Sequence, residues 1–232
     1  MLRSAKKLIG IPVQALDGPI GSVLDLYFDD RLWRIRYLVV DTGQLLPGRK
    51  VLISPSAAGV VSRGARVLPV LLTRRQVIGC PEIYADPPVS RQQERVRAEW
   101  DGWSEISSDR SGPVGSSVTG GCPPMDRSMR LKTDENFDSH LRSAGEVTGY
   151  CLLASDGQVG RVEDLLIGDG LRTVRYLIAS LENRLPEKTV LVAPVWVDEI
   201  CWNGKRVEVA LPGGIIRECP NYGSQRPLNL QS

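Results

Sequence analysis

The residue types that carry out chemistry in proteins are few and scattered along this chain. Its one histidine is His140, and a Ser–His–Asp or Cys–His site needs a histidine beside a nucleophile. We interpret His140 as a solvated residue at the edge of a linker. Two carboxylate pairs, Asp29–Asp30 and Asp134–Glu135, fall in a predicted turn and in the linker, where acidic residues are ordinary. We therefore predict no catalytic residue and no enzymatic activity.

Metal and cofactor sites are also not predicted. The five cysteines form no Cys-x-x-Cys pair, and a zinc site needs about four nitrogen or sulfur ligands at suitable spacing. The segment Gly112–Gly121 is rich in Gly and Ser but lacks the lysine and the flanking strand of a phosphate-binding loop. The odd cysteine number fits a reducing compartment. No apolar run approaches the ~18–20 residues that span a bilayer, so we expect a cytoplasmic protein without a membrane span.

Basic residues offer a candidate partner face in the first half of the chain. Arg31, Arg34, Arg49 and Lys50 lie there, and the matching positions of the second half carry fewer charges. Such a face could contact RNA or an acidic protein, and an ordinary solvated surface is the alternative. The net charge is only +2, from 29 basic and 27 acidic residues, which is small for a protein that coats nucleic acid.

A duplicated module carries these residues. A shift of 139 positions places Asp17-Gly18-x-x-Gly21 on Asp156-Gly157-x-x-Gly160, and Arg36-Tyr37-Leu38 on Arg175-Tyr176-Leu177. Roughly 20 of the 52 positions from 4 to 55 are identical without a gap, where chance would give about three. The chain is therefore an internal repeat.

Each copy has the pattern of short β-strands rich in β-branched and aromatic residues, without helical periodicity. Strands are predicted at 8–16, 20–28, 32–41, 50–53 and 66–72, and in the second copy at 147–154, 159–167, 171–180, 189–193, 195–202 and 206–211. This pattern predicts an all-β fold with two small barrels or curled sheets in tandem.

The second hairpin of each copy allows a more detailed prediction. The dipeptide Asp169-Gly170 favours a two-residue turn, which would place Asp164 opposite Arg175. The same register places Asp25 opposite Arg36 in the first copy. We interpret both pairs as structural cross-strand clips rather than a functional site. One apolar face of the first hairpin is predicted to enter the core, with Leu24, Leu26, Phe28, Trp33, Ile35 and Tyr37.

Four segments follow from these patterns. Residues 1–84 and 141–222 are the two domains, and residues 223–232 form a tail. Residues 85–140 form a linker with a short helix near 90–100, where Ser90-x-x-Gln93 resembles a capping box, followed by a flexible stretch rich in Ser and Gly.

Each copy resembles a PRC-barrel domain, the small β-barrel of the photosynthetic reaction-centre H subunit and of the ribosome maturation factor. The resemblance covers about residues 3–84 and 141–222. It is carried by Asp17-Gly18-x-x-Gly21-x-Val23-x-Asp25, Trp33–Asp41, Leu46–Pro55 and their counterparts. The stretch Leu72–Val77 and the residues after it are similar to the extension of bacterial stand-alone members.

The resemblance implies a tandem pair of PRC-type barrels that acts as a protein-interaction or assembly scaffold, with an unknown protein partner. The alternative is an RNA- or ribosome-binding protein that uses the basic face of the first domain. We expect the two copies to pack as an intramolecular pseudo-dimer. Independent domains on a linker, or a homo-oligomer, are the alternatives.

Overall fold

Two β-sheets dominate the structure. The computed structural model describes residues 2–43, 45–59, 67–92, 140–181, 188–219 and 221–223 of the chain. Within these residues the protein is mostly β, with a few helices of six residues or fewer. The β class that the sequence predicts is therefore confirmed.

The first half contributes six strands and two short helices. The strands are β1 (Arg3–Ser4), β2 (Pro12–Ala15), β3 (Gly18–Asp29), β4 (Arg34–Asp41), β5 (Lys50–Ile53) and β6 (Leu68–Pro69). The helices are α1 (Ala5–Leu8) and α2 (Arg74–Ile78), with a 3₁₀ turn at Pro55–Ala57. A capping box between Thr73 and Gln76 starts α2.

The second half follows the same order with one more strand and one more 3₁₀ turn. Its strands are β7 (Leu141–Ser143), β8 (Cys151–Ala154), β9 (Gly157–Ile167), β10 (Val174–Leu181), β11 (Thr189–Val192), β12 (Val197–Cys201) and β13 (Arg206–Val209). Its helices are α3 (Ala144–Val147) and α4 (Gly213–Glu218), with 3₁₀ turns at Asp169–Leu171 and Pro194–Trp196.

The two sheets exchange their first strands. One sheet has the order β5-β4-β3-β2-β6 and carries β7 on β3, whereas the other has the order β11-β10-β9-β8-β13-β12 and carries β1 on β9. Each half therefore supplies one strand to the sheet of the other half. The pairings among the described residues do not close either sheet into a barrel, so the predicted closed barrels are not seen there.

A reciprocal contact also joins the two halves where β4 and β10 begin. Arg34 forms an antiparallel bridge with Thr173, its counterpart 139 residues later. Around this bridge, the Ile35 N–H donates to the Arg172 carbonyl at 2.9 Å, and the Val174 N–H donates to the Trp33 carbonyl at 2.8 Å. Equivalent positions thus meet each other, as they would at a two-fold axis.

Apolar side chains from both halves pack into one core. Its largest fully buried members include Leu26, Phe28, Leu38, Leu165, Ile167 and Leu177. A smaller cluster joins Tyr27, Val39, Leu52 and Ile83 of the first half to Leu141 of the second. The two copies therefore form one packed unit, because their apolar faces are buried against each other rather than separately.

The predicted cross-strand clips are wrong in register. Asp25 lies opposite Val39 rather than Arg36, and Asp164 lies opposite Ile178 rather than Arg175. The connection between β3 and β4 spans four residues rather than two, and both arginines fall where the register shifts at a β-bulge. A bulge adds one residue to one strand and shifts every later pairing. The local residue types gave no indication of these bulges.

The same bulges split the predicted apolar face. Leu26, Phe28 and Ile35 are buried in the shared core, and Trp33 packs against it with its ring stacked 5.6 Å from that of Phe28. The other two predicted residues lie outside the shared core, because Leu24 is 41% exposed and Tyr37 packs on the smaller cluster.

Much of the predicted linker lies outside the described residues. Residues 89–92 are helical, where the sequence places the start of a short helix, and residues 93–139 are not described. The candidates Gly112–Gly121 and Asp134–Glu135, and the tail from 224 onward, also lie outside. None of the helices in the described ranges is long and apolar enough to cross a membrane.

Candidate binding cleft between the two halves

Asp25 and its repeat counterpart Asp164 both lie at the boundary between the two halves of the chain. Asp25 accepts hydrogen bonds from Ser143 Oγ at 2.5 Å and from the Gly145 N–H at 3.0 Å, both in the second half. It also accepts one from the Leu26 N–H at 2.7 Å. Burial raises the pKa of the Asp25 carboxyl, and these three hydrogen bonds oppose that rise.

Asp164 makes the equivalent hydrogen bonds in the opposite direction, to the first half. It accepts hydrogen bonds from Ser4 Oγ and from the Lys6 N–H at 3.0 Å, both in the first half, and from the Leu165 N–H at 2.7 Å. Ser4 is the N-cap of α1, and Ser143 is the N-cap of α3. Each aspartate therefore holds the first turn of a helix in the opposite half, which gives it a structural role at the boundary.

A cleft of about 580 Å³ opens where the two halves meet. The first half supplies one wall from the β3–β4 connection, and the second half supplies β7 and the segment around β12. The lining residues are Asp30, Arg31, Trp33, His140, Arg142, Pro194, Val195, Val197, Asp198, Glu199 and Ile200.

A charged cluster fixes one wall of this cleft. Asp30 Oδ1 lies 2.9 Å from His140 Nδ1, and Arg142 Nε donates to Asp30 Oδ2 at 2.5 Å. The Asp30 and Arg142 side chains are only 10% and 12% exposed. Arg142 Nη1 is buried and has no hydrogen-bond partner among the residues that the structure describes. The solvated interpretation of His140 is thus incomplete, because this residue is 38% exposed and contacts the Asp30 carboxylate of the other half.

The segment at 194–200 adds apolar and acidic side chains to the lining of the cleft. Val195 is 85% exposed beside Pro194, so this part of the lining carries apolar surface that faces solvent. Asp198 and Glu199 follow on β12 and are both exposed. The cleft therefore presents a small apolar surface next to a pair of negative charges.

The structure does not bring the four predicted basic residues together. Arg31 lies in the cleft wall and Arg34 begins β4, whereas Lys50 pairs with Asp41 at the other end of that strand. Seven residues of extended strand separate the two ends, or about 23 Å. Arg49 Nε lies 2.9 Å from Glu82 Oε1, an ion pair without hydrogen-bond geometry. The predicted basic face is therefore two separate pairs.

Cysteine chemistry adds no site in the described part of the chain. All four cysteines there are free thiols. Burial raises the pKa of the Cys80 and Cys219 thiols, which keeps them protonated, and each donates to a carbonyl of the preceding helix, that of Gln76 or of Ile215. The same residue ranges hold no group of three or more His, Cys, Asp or Glu side chains placed to bind a metal ion.

The charged residues of the cleft can be identified one by one in the sequence, but the cleft that they form cannot. Asp30 and His140 were visible in the sequence, yet nothing indicated that 110 positions of separation would become a contact. The signal that could have found it is the repeat itself, because a duplicated strand can pair in the sheet of its counterpart.

No protein-family profile matches the chain, and no curated protein matches it either.

Proposed function

We propose that this chain is a tandem PRC-barrel-type scaffold that binds a protein partner in the cleft between its halves and catalyses no reaction. The observation that carries the proposal is the composition of the cleft, since both halves build it and an exposed valine lies there beside charged side chains. Protein-binding surfaces combine an apolar centre with a polar rim in this way. The resemblance of each copy to PRC-barrel domains supports the same class of function.

RNA is the competing partner and is less favoured. A nucleic-acid surface needs clustered positive charge, because phosphate contacts supply most of its affinity. The cleft instead presents mixed charges, with Asp198 and Glu199 beside Arg31 and Arg142, and the four predicted basic residues are divided between the two ends of β4. A protein partner fits the charges of the cleft better.

The test is crosslinking in the cells from which the protein comes. Tagged wild-type chain is compared with Val195→Asp, which places a charge in the cleft, and with Ile215→Asp, which changes a half-exposed residue on α4 outside it. We expect a stoichiometric crosslinked protein with wild type and Ile215→Asp, and a loss of at least tenfold with Val195→Asp.

Two results would overturn the proposal. A complex that ribonuclease dissolves would establish the RNA alternative, and equal capture by all three chains would place the partner elsewhere. Matching melting temperatures of the variants confirm that the comparison concerns binding and not folding.

A further inference from the structure

The edges of the two sheets are not equally protected. The outer edge of β5 is covered by residues 81–83. There the Leu52 N–H donates to the Pro81 carbonyl at 2.8 Å, and the Ile83 N–H donates to the Lys50 carbonyl at 3.2 Å. The outer edge of β11 is covered in the same way, because the Tyr222 N–H donates to Thr189 at 2.7 Å. These return segments satisfy backbone groups that an edge strand would otherwise expose.

Strand β12 has no such cover among the described residues. It pairs with β13 on one side and ends the strand order of its sheet on the other. Four of its five residues, Val197–Ile200, line the cleft. An edge strand with unpaired backbone groups thus borders the cleft that both halves build, with the exposed Val195 just before it.

We infer that the partner docks as an extended segment that adds a strand to the free edge of β12, and that this segment carries lysine or arginine next to an apolar residue. The inference rests on the proposed function and names the chemistry of its partner. Strand addition gains affinity from main-chain hydrogen bonds and specificity from side chains that alternate along the strand. The five residues of β12 offer about 17 Å of edge for it.

The charges on the edge select this occupant. Asp198 and Glu199 are consecutive exposed residues at the β-bulge of β12, so a basic residue of the incoming segment gains an opposite charge. A second copy that paired β12 with β12 would bring the two acidic pairs together, and like charges on neighbouring strands are destabilising. The apolar neighbour in the segment would contact Val195 or Trp33, which both line the cleft.

The test uses the full-length protein and a phage-displayed library of random nine-residue peptides. We expect enriched peptides in which basic and apolar residues alternate. Their affinity should fall at least tenfold for Glu199→Lys and further for the double reversal Asp198→Lys with Glu199→Lys. Glu218→Lys, which makes the same charge change on exposed α4, should bind like wild type.

Two further measurements address the strand geometry. Amide hydrogen exchange should slow along β12 when peptide binds, and methylation of alternate peptide amides should abolish binding. Enriched peptides that are acidic, or that leave β12 exchange unchanged, would overturn the inference, as would a library without enrichment. The crosslinking experiment tests the proposed function separately. If Val195→Asp loses the crosslinked partner but no peptide pairs with β12, strand addition is wrong and the proposed scaffold function still holds.

Discussion

Asp25 and Asp164 each bond to the half of the chain that did not supply them. Each carboxylate satisfies a serine hydroxyl and a backbone N–H of the opposite half, and one N–H of its own strand. Hydrogen bonds to charged groups contribute about 1.5–3 kcal/mol. The boundary between the halves is therefore held at two equivalent points by one residue type.

Removal of either aspartate should weaken the whole protein. We expect Asp25→Ala and Asp164→Ala each to lower the free energy of unfolding by about 1–3 kcal/mol, because buried donors lose their acceptor. Urea unfolding measures the change, and Glu218→Ala on the surface of α4 is the control, with an expected change within about 0.5 kcal/mol. If both aspartate variants unfolded like wild type, these carboxylates would not lock the halves.

Burial of Asp25 predicts a pH dependence with a definite sign. Its pKa in the folded protein is raised above 3.8, so the folded state binds this proton more tightly than the unfolded state does. The contribution of Asp25 to stability therefore increases as the pH falls through the raised pKa, and the increase is complete below about pH 3.8. Asp25→Asn cannot take up this proton.

The unfolding free energy of wild type minus that of Asp25→Asn should consequently rise on acidification from pH 7. Urea unfolding at a series of pH values measures the difference, in which most other titrating groups cancel. A difference that falls or stays constant with acidification would contradict the raised pKa.

Within single elements, two glycines allow the paired strands of the long hairpins to approach each other closely. A Cβ atom on Gly21 would lie 1.8 Å from the Asp41 carbonyl oxygen, and one on Gly160 would lie 2.0 Å from that of Ser180. The backbone of β3 therefore approaches β4 closely, and that of β9 approaches β10. Glycine inside a strand commonly marks such an approach.

Alanine at these positions should separate the strands. We expect Gly21→Ala and Gly160→Ala each to cost about 1–3 kcal/mol of stability or more, because backbone and not a flexible side chain must move. Gly214→Ala on α4 is the matched control, since nothing lies within 4 Å of its Cβ position. Thermal melts give the comparison, and equal melting temperatures for all three would contradict the close approach.

Strand positions followed from the sequence, whereas strand partners did not. Alternating β-branched residues placed β3, β4, β9 and β10 within a few residues of their observed bounds. The partners of Asp25 depend on a bulge and on a strand from the other half, and neither has a local signature. Sequence periodicity reports which face a residue occupies, but it does not report which strand lies beside it.

Helices of four residues were missed for a similar reason. Residues 5–8 were expected to lie before or within a strand, yet Ser4 caps α1 through the Lys7 N–H and the strand starts only at Pro12. So short a helix has no periodicity to recognise, and it is stabilised by its cap and by the burial of Ala5 and Leu8.

For the whole molecule, the exchanged strands make the two copies interdependent. β1 completes the second sheet, β7 completes the first, and both halves share one core. The exchanged strands and the shared core therefore join the halves in addition to the covalent connection along the chain.

Cutting that connection should leave one particle. A protease site inserted after residue 116 and then cleaved should yield two fragments that co-elute with a combined mass near 25.5 kDa. Uncut protein is the control for elution, and urea should release the fragments. Two folded fragments that elute separately in native buffer would show that strand exchange does not bind the halves.

The exchange of first strands also sets an order of events during synthesis. Ser4 and its partner Asp164 are 160 residues apart in the chain. At about 5–20 residues per second, a ribosome needs roughly 8–30 s to supply the partner after the first strand has been made. The N-terminal strand therefore waits without its native neighbour until translation is well advanced. The first copy cannot finish folding until the second has emerged.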